Sequence, residues 1–112
     1  MLRHSHTAVI ARNEVWAGSA ETEPYEAGWA REAVVFITTL SSSGLAEGNR
    51  AARVQISPDG MRWVDEGSKL DVPAQTDGVS VARVRHFGNW LRVVSEMPAA
   101  SRAAVLVTLH LK

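Results

Sequence analysis

Two histidines stand near the start of the chain, His4 and His6, and imidazole is a common metal ligand in proteins. Residues two apart in an extended chain point to the same side, so these two rings could share one cation. Two ligands do not close a metal site, and no acidic residue nearby supplies a third. We therefore predict no bound metal and no cofactor, and we count His4 and His6 among the candidate interface residues.

Acidic residues and serines are present, but their spacing fits no catalytic motif. Glu21, Glu23 and Glu26 share one segment, residues 18–28, where turn and solvation roles explain them. The sequence has no G-x-S-x-G elbow, no phosphate-binding glycine loop and no cysteine nucleophile. We therefore predict that the protein is not an enzyme.

The chain contains four tryptophans, a high content for 112 residues. Trp16 and Trp29 flank the acidic segment that contains Tyr25, and exposed aromatic residues stack on sugar rings or anchor protein interfaces. Trp16, Tyr25 and Trp29 are therefore candidate interface residues, although the sequence leaves a core position open for the two tryptophans. Trp63 follows a turn and Trp90 opens a strand, which favours core positions for both.

Short segments that alternate apolar and polar residues must position these side chains. Residues 50–57 alternate between apolar and polar side chains, and S-P-D-G from residue 57 is a turn signal. A second extended segment that contains Trp63 follows the turn, so residues 50–65 are predicted to form a β-hairpin. Residues 79–87 alternate in the same way, and residues 29–40 contain a run of β-branched and aromatic residues. Further strands are predicted over residues 8–17, 69–72, 90–96 and 103–111.

Turn signals between these segments, and the lack of a convincing amphipathic helix, predict an all-β protein. Seven or eight strands at this spacing are typical of an antiparallel β-sandwich, either immunoglobulin-like or, as we predict, jelly-roll-like. Residues 1–7 are interpreted as a flexible arm and residues 8–112 as one domain. The residues expected in the structural core are Phe36, Val54, Ile56, Trp63, Trp90, Leu91, Val93, Val107 and Leu109.

The charge balance bears on the partners of the protein. Lys and Arg number 12, as do Asp and Glu, so the formal net charge is zero, whereas nucleic acids and anionic membranes attract a basic excess. No apolar run approaches the ~20 residues of a transmembrane helix. We therefore predict neither a nucleic-acid nor a membrane partner. The apolar run V-L-V-T-L-H-L at residues 105–111 must be paired inside a sheet or with a neighbouring chain, which favours an oligomer.

Three motifs carry a resemblance to a known group of proteins: V-Q-I-S-P-D-G-M-R-W at residues 54–63, F-G-N-W-L-R-V-V-S at 87–95 and A-A-V-L-V-T-L-H-L at 103–111. Over residues 50–112 the chain resembles small phage-type β-sandwich proteins that decorate capsids or belong to head fibres and tails. The resemblance implies a non-enzymatic structural protein of a phage or phage-like particle, bound to copies of itself as a homo-oligomer or to a capsid or tail protein. It also implies a location in the virion or particle, and otherwise in the cytoplasm.

The same hairpin motif also resembles that of discoidin-type domains. This second resemblance implies an alternative function, a carbohydrate-binding β-sandwich module, and the tryptophan content agrees with it. The two functions predict different behaviour. A structural module is expected to form a trimer or another closed oligomer, whereas a carbohydrate-binding module is expected to change its tryptophan fluorescence when sugars are added.

Overall fold

The computed structural model describes residues 5–44 and 50–112, and the secondary structure of these residues is entirely β. This part of the chain contains no helix that is long and apolar enough to cross a membrane. Its nine strands are β1 (His6–Ala17), β2 (Ala20–Glu21), β3 (Tyr25–Glu26), β4 (Glu32–Ser43), β5 (Ala51–Ser57), β6 (Val64–Asp71), β7 (Val79–Arg85), β8 (Trp90–Glu96) and β9 (Arg102–Leu111).

The strands form two antiparallel sheets that pack against each other. The first sheet has the order β1-β9-β4-β7, and the second has the order β2-β8-β5-β6, with β3 also paired to β8. Every connection crosses between the sheets except β2–β3 and the β5–β6 hairpin, and this strand order is that of a jelly roll. The predicted all-β antiparallel sandwich is confirmed, although the described residues form nine strands where seven or eight were expected. Its strand order differs from that of the immunoglobulin fold.

Much of the acidic segment, residues 18–28, where the sequence indicated turn and solvation roles, runs alongside β8. Both β2 and β3 pair with β8, and between them the amide of Thr22 donates to the carbonyl of Val93 at 2.9 Å. Pro24 has no amide hydrogen for the ladder, so the pairing is interrupted and splits into two short strands. Of residues 69–72, predicted as a separate strand, the first three belong to β6, which ends at Asp71.

The core lies between the sheets and follows the period of two that a half-buried strand shows. Every second residue of β4 and β9 is buried over most of each strand. Ile56 is half-buried and packs against this core. Because β9 is paired with β1 on one side and β4 on the other, the apolar run at residues 105–111 needs no neighbouring chain. The predicted core residues that are fully buried are Val54, Leu91, Val93, Val107 and Leu109.

Three residues predicted in the core lie on outer surfaces instead. Phe36 stands between the fully buried Val35 and Ile37, so its half-buried ring points away from the core. Trp90 is half-buried on the outward side of β8. Trp63 is also half-buried and follows the hairpin turn, outside any strand.

Trp16 shows the opposite error, because it is only 2% exposed and belongs to the core. It is therefore not available as the surface contact that the sequence suggested. The exposed Arg12 and Glu14 break the alternation of β1, and β1 carries two register shifts against β9 at this point. Such bulges turn the two polar residues outward and leave Trp16 on the buried face that Ile10 also occupies.

The predicted hairpin is confirmed as β5–β6, and the S-P-D-G sequence explains its turn. Ser57 Oγ accepts a hydrogen bond from the Gly60 amide at 2.8 Å. Asp59 Oδ1 accepts from the amides two and three residues further along the chain, each at 2.9 Å. Gly60 has a φ of 79°, and a Cβ there would come within 3.2 Å of the Trp90 ring. The position therefore requires glycine.

The start of the chain is more ordered than the sequence suggested. Strand β1 begins at His6 and pairs with β9 from that residue onward, so residues 6 and 7 are not part of a flexible arm. His4 lies outside the described residues.

Candidate functional site

The outward-pointing side chains of β1, β9, β4 and β7 form the outer face of the first sheet. Val81, Phe36, Thr108 and Val9 stand directly opposite one another on successive strands and make a row across the whole sheet. The Phe36 ring also contacts His110 edge to face, with the ring centroids 5.1 Å apart. The apolar side chains on this face include Val9, Val15, Val34, Phe36, Val79, Val81 and Leu106.

This face exposes apolar surface that a sandwich usually keeps inside. Val79 is 57% exposed and Val81 is 44% exposed. Charged side chains also occur on this face, and at one end Glu32 contacts Arg85 at 3.8 Å and Lys112 at 3.2 Å. An antiparallel sheet with one face in solvent normally carries polar residues there. A row of mostly apolar side chains on that face is therefore typical of a surface that a partner covers.

A second surface is an aromatic cleft formed by Ser5, His6, Tyr25 and Trp29, with a volume of about 490 Å³. His6 is on the same side of β1 as the buried Ala8, so its ring extends from the mouth of the sandwich. The ring contacts Trp29 edge to face, with centroids 5.8 Å apart and planes at 83°. The cleft thus brings together three of the residues that the sequence suggested for an interface.

Backbone hydrogen bonds hold the turn that presents Trp29. The amide of Ala30 donates to the carbonyl of Ala27 at 3.0 Å, and the Ala27 amide donates to the carbonyl of Asn89 at 2.7 Å. On the other side of the turn, the Arg31 amide donates to the carbonyl of Lys112 at 2.8 Å. Trp29 is nevertheless 58% exposed. The cleft therefore combines an anchored backbone with an indole open to solvent.

The outer side of the second sheet carries a network of polar contacts around Arg92. Its Nε and Nη2 donate to Gln55 Oε1 at 3.0 and 2.8 Å. Its Nη1 lies 2.8 Å from a carboxylate oxygen of Glu21 on β2. The guanidinium also stacks on the ring of Trp63. Arg92 consequently links the hairpin turn, β5, β8 and the short strand β2.

Arg53 extends this network and contacts Asp65 at 2.9 Å and Glu96 at 3.0 Å. The hydrogen bond to Glu96, and then the one to Asp65, raise the pKa of Arg53. Hydrogen bonds from Gln55 and then Arg53 lower the pKa of Asp65. Arg53, Gln55 and Glu96 border, together with Arg92, a groove of about 380 Å³. Its two guanidinium groups are already paired with carboxylates, which makes the groove a poor site for an anionic ligand.

The architecture therefore defines a class, the antiparallel jelly-roll sandwich, and solved structures were compared with the chain. The chain is similar to the SPBc2 prophage-derived protein YomS, with a TM-score of 0.59 and 14% identity, covering 99% of this chain and 96% of that chain. It is also similar to PirA, with a TM-score of 0.45 and 17% identity, covering 100% of this chain and 96% of that chain. The likeness to YomS concerns the fold alone, and no argument rests on PirA. No protein-family model matches the chain, and no curated protein does.

The described residues contain no group of three His, Asp or Glu side chains that could hold a metal ion. The sequence indicated His6, Tyr25 and Trp29 as candidate site residues, but it did not indicate the apolar outer face of the first sheet. A signal for that face existed in β4, where Val34 and Phe36 are apolar as well as Val35 and Ile37. When both faces of a strand are apolar, either its own chain covers both faces, or its own chain covers one face and a partner covers the other.

Proposed function

We propose that this protein is a non-enzymatic structural module that associates with copies of itself in a phage or phage-like particle, as a decoration or accessory subunit of a capsid or tail. The observation that carries this proposal is the outer face of the first sheet. In an isolated chain the ends of its row are exposed, with Val81 at 44% and Val9 at 39%, and Phe36 and Thr108 between them are half-buried. Covering apolar surface contributes roughly 25 cal/mol for each Å² removed from water.

The size of this face suits a protein–protein contact. Strands lie about 4.8 Å apart, so four of them make a face roughly 19 Å wide, and a strand as long as β4 extends about 40 Å. A face of these dimensions offers on the order of 750 Å² per copy, close to the ~800 Å² that each partner buries in an interface of standard size. An apolar centre with charges at its border is also the usual composition of such interfaces.

A second copy of this chain is the partner that best fits the face. Two identical sheet faces related by a two-fold axis place apolar rows against each other, and the same patch is then covered on both copies. The border carries charges of both signs, since Arg85 and Lys112 both contact Glu32 within each copy. The formal net charge of zero leaves no long-range repulsion between copies.

The setting in a particle is supported by the fold and by the motifs. Jelly rolls are a recurrent architecture of viral capsid proteins. YomS, which is similar in fold, is a prophage-derived protein. The motifs in residues 50–112 resemble those of small phage-type structural proteins, and this resemblance supports the same setting.

Sedimentation velocity of the full chain tests the proposal. We expect the wild type to form a closed oligomer at micromolar concentration and Val81→Asp to dissociate toward the monomer, because a carboxylate would have to be buried in the contact. Val64→Asp is the matched control, since Val64 is 59% exposed on β6 of the second sheet and should not affect assembly. A wild type that remains monomeric, or equal dissociation of both variants, would overturn the proposal.

A further inference from the structure

We infer that the aromatic cleft of Ser5, His6, Tyr25 and Trp29 binds a pyranose ring, so that the module carries a glycan-binding site in addition to its assembly surface. This inference goes beyond the assembly role and does not depend on it. The cleft opens at the mouth of the sandwich near the start of β1, whereas the apolar row crosses the outer face of the first sheet.

Trp29 provides the platform for such a ring. The C–H groups on one side of a pyranose are apolar and stack on the flat face of an indole, as other apolar groups do. His6 contacts Trp29 from one direction at nearly a right angle, and one such neighbour covers at most one face of a planar ring. The indole is 58% exposed, so it retains an open surface for stacking.

The anchored backbone around Trp29 lowers the entropic cost of binding. The turn is held by the Ala30–Ala27 hydrogen bond and by the bond from Ala27 to Asn89. A Cβ on Gly28 would come within 2.8 Å of the Asn89 amide oxygen, so the loops approach each other closely. A binding surface that is already ordered loses less conformational entropy when its ligand arrives.

The chemistry of the lining favours a neutral polyhydroxylated ligand. Ser5 and Tyr25 contribute hydroxyl groups, and His6 contributes ring nitrogens that donate or accept hydrogen bonds. The cleft has no Lys or Arg in its described lining, and the neighbouring Glu26 is exposed. Anionic ligands are therefore disfavoured. A volume of about 490 Å³ lies within the usual range for small-molecule sites.

The test measures binding of the full chain to immobilised oligosaccharides built from glucose, galactose, mannose and N-acetylglucosamine. We expect the wild type to bind at least one of them and Trp29→Ala to lower the affinity at least tenfold. Trp29→Phe should retain part of the affinity, because a smaller aromatic face remains. Gln75→Ala is the control, since Gln75 is exposed in the loop between β6 and β7 and should bind like the wild type.

Two results would overturn the inference: no oligosaccharide bound at millimolar concentration, or equal binding by the wild type and Trp29→Ala. Capture of peptides instead of sugars, with loss in Trp29→Ala, would also overturn it and would assign the cleft to a protein ligand. The assembly proposal is tested separately. Trp29→Ala should sediment like the wild type, and Val81→Asp should still bind the same oligosaccharide.

Discussion

The guanidinium carbon of Arg92 lies 4.3 Å from the centroid of the Trp63 ring. Arg92 stands on β8 and Trp63 follows the hairpin turn, so the stack ties the end of that turn to the second sheet. The same guanidinium donates two hydrogen bonds to Gln55 and contacts Glu21. Its planar shape allows all three contacts at once. The tryptophan of the S-P-D-G-M-R-W motif therefore holds the hairpin in place from outside the core.

Arg92→Lys should destabilise the protein, because a lysine keeps the charge but loses the planar stack and the paired hydrogen bonds. We expect a loss of about 1–3 kcal/mol in the free energy of unfolding, measured by urea denaturation. The matched control is Arg83→Lys, at an exposed position on β7, which should change stability by less than about 0.5 kcal/mol. Equal effects of the two substitutions would show that the Arg92 contacts contribute little.

Ser95→Ala should make the protein more stable. Ser95 is 1% exposed, and within the described part of the chain its Oγ has no hydrogen-bond partner. Removing an unsatisfied buried hydroxyl relieves a desolvation penalty of about 1–3 kcal/mol. Thermal denaturation should therefore show a higher Tm.

Ser101→Ala is the control for this effect. Ser101 is fully buried, but its hydroxyl donates to the carbonyl of Gly44 at 3.0 Å. The same substitution should lower the Tm here, because it breaks a satisfied hydrogen bond. A lower Tm for Ser95→Ala would mean that the hydroxyl at residue 95 is stabilising, contrary to the prediction.

Asp59→Asn should change how stability depends on pH. Hydrogen bonds from the amides of Arg62 and Met61 lower the pKa of Asp59 below its ordinary value of 3.8. A lowered pKa in the folded state means that the carboxylate stabilises the fold above pH 3.8, and that this contribution disappears as the pH falls through the lowered value. The Tm difference between the wild type and Asp59→Asn should therefore be largest near neutral pH and shrink in acid.

Arg62→Ala distinguishes the ion pair of the Asp59 carboxylate from its hydrogen bonds with backbone amides. The Arg62 side chain is 88% exposed and its Nη1 lies 3.8 Å from Asp59, so the ion pair should contribute little. The variant should keep the pH profile of the wild type, because the backbone amides remain in place. A profile that matches Asp59→Asn would instead identify the ion pair as the source of the effect.

The strands and the hairpin could be predicted from the sequence, because alternation and turn residues are local signals. The buried side of β4 could not, since Val34 and Phe36 are as apolar as Val35 and Ile37 and only the packing of the second sheet distinguishes them. Trp16 was ambiguous for a related reason, because the register shifts that bury it arise from pairing with β9. The order of strands in each sheet depends on contacts between distant segments, which period-two patterns do not encode.

The interruption of the second sheet at Pro24 also controls how copies can join. The free side of β2 and β3 presents Pro24, which has no amide hydrogen, and the exposed Glu21 and Glu23. A further strand cannot be added smoothly along this border, so the open-ended growth that leads to fibrils is obstructed there. Contacts through a sheet face, by contrast, reach completion at a fixed stoichiometry when the copies are related by point symmetry. Where many copies of the protein lie close together, this border therefore resists the strand-by-strand addition that leads to amyloid-like polymers.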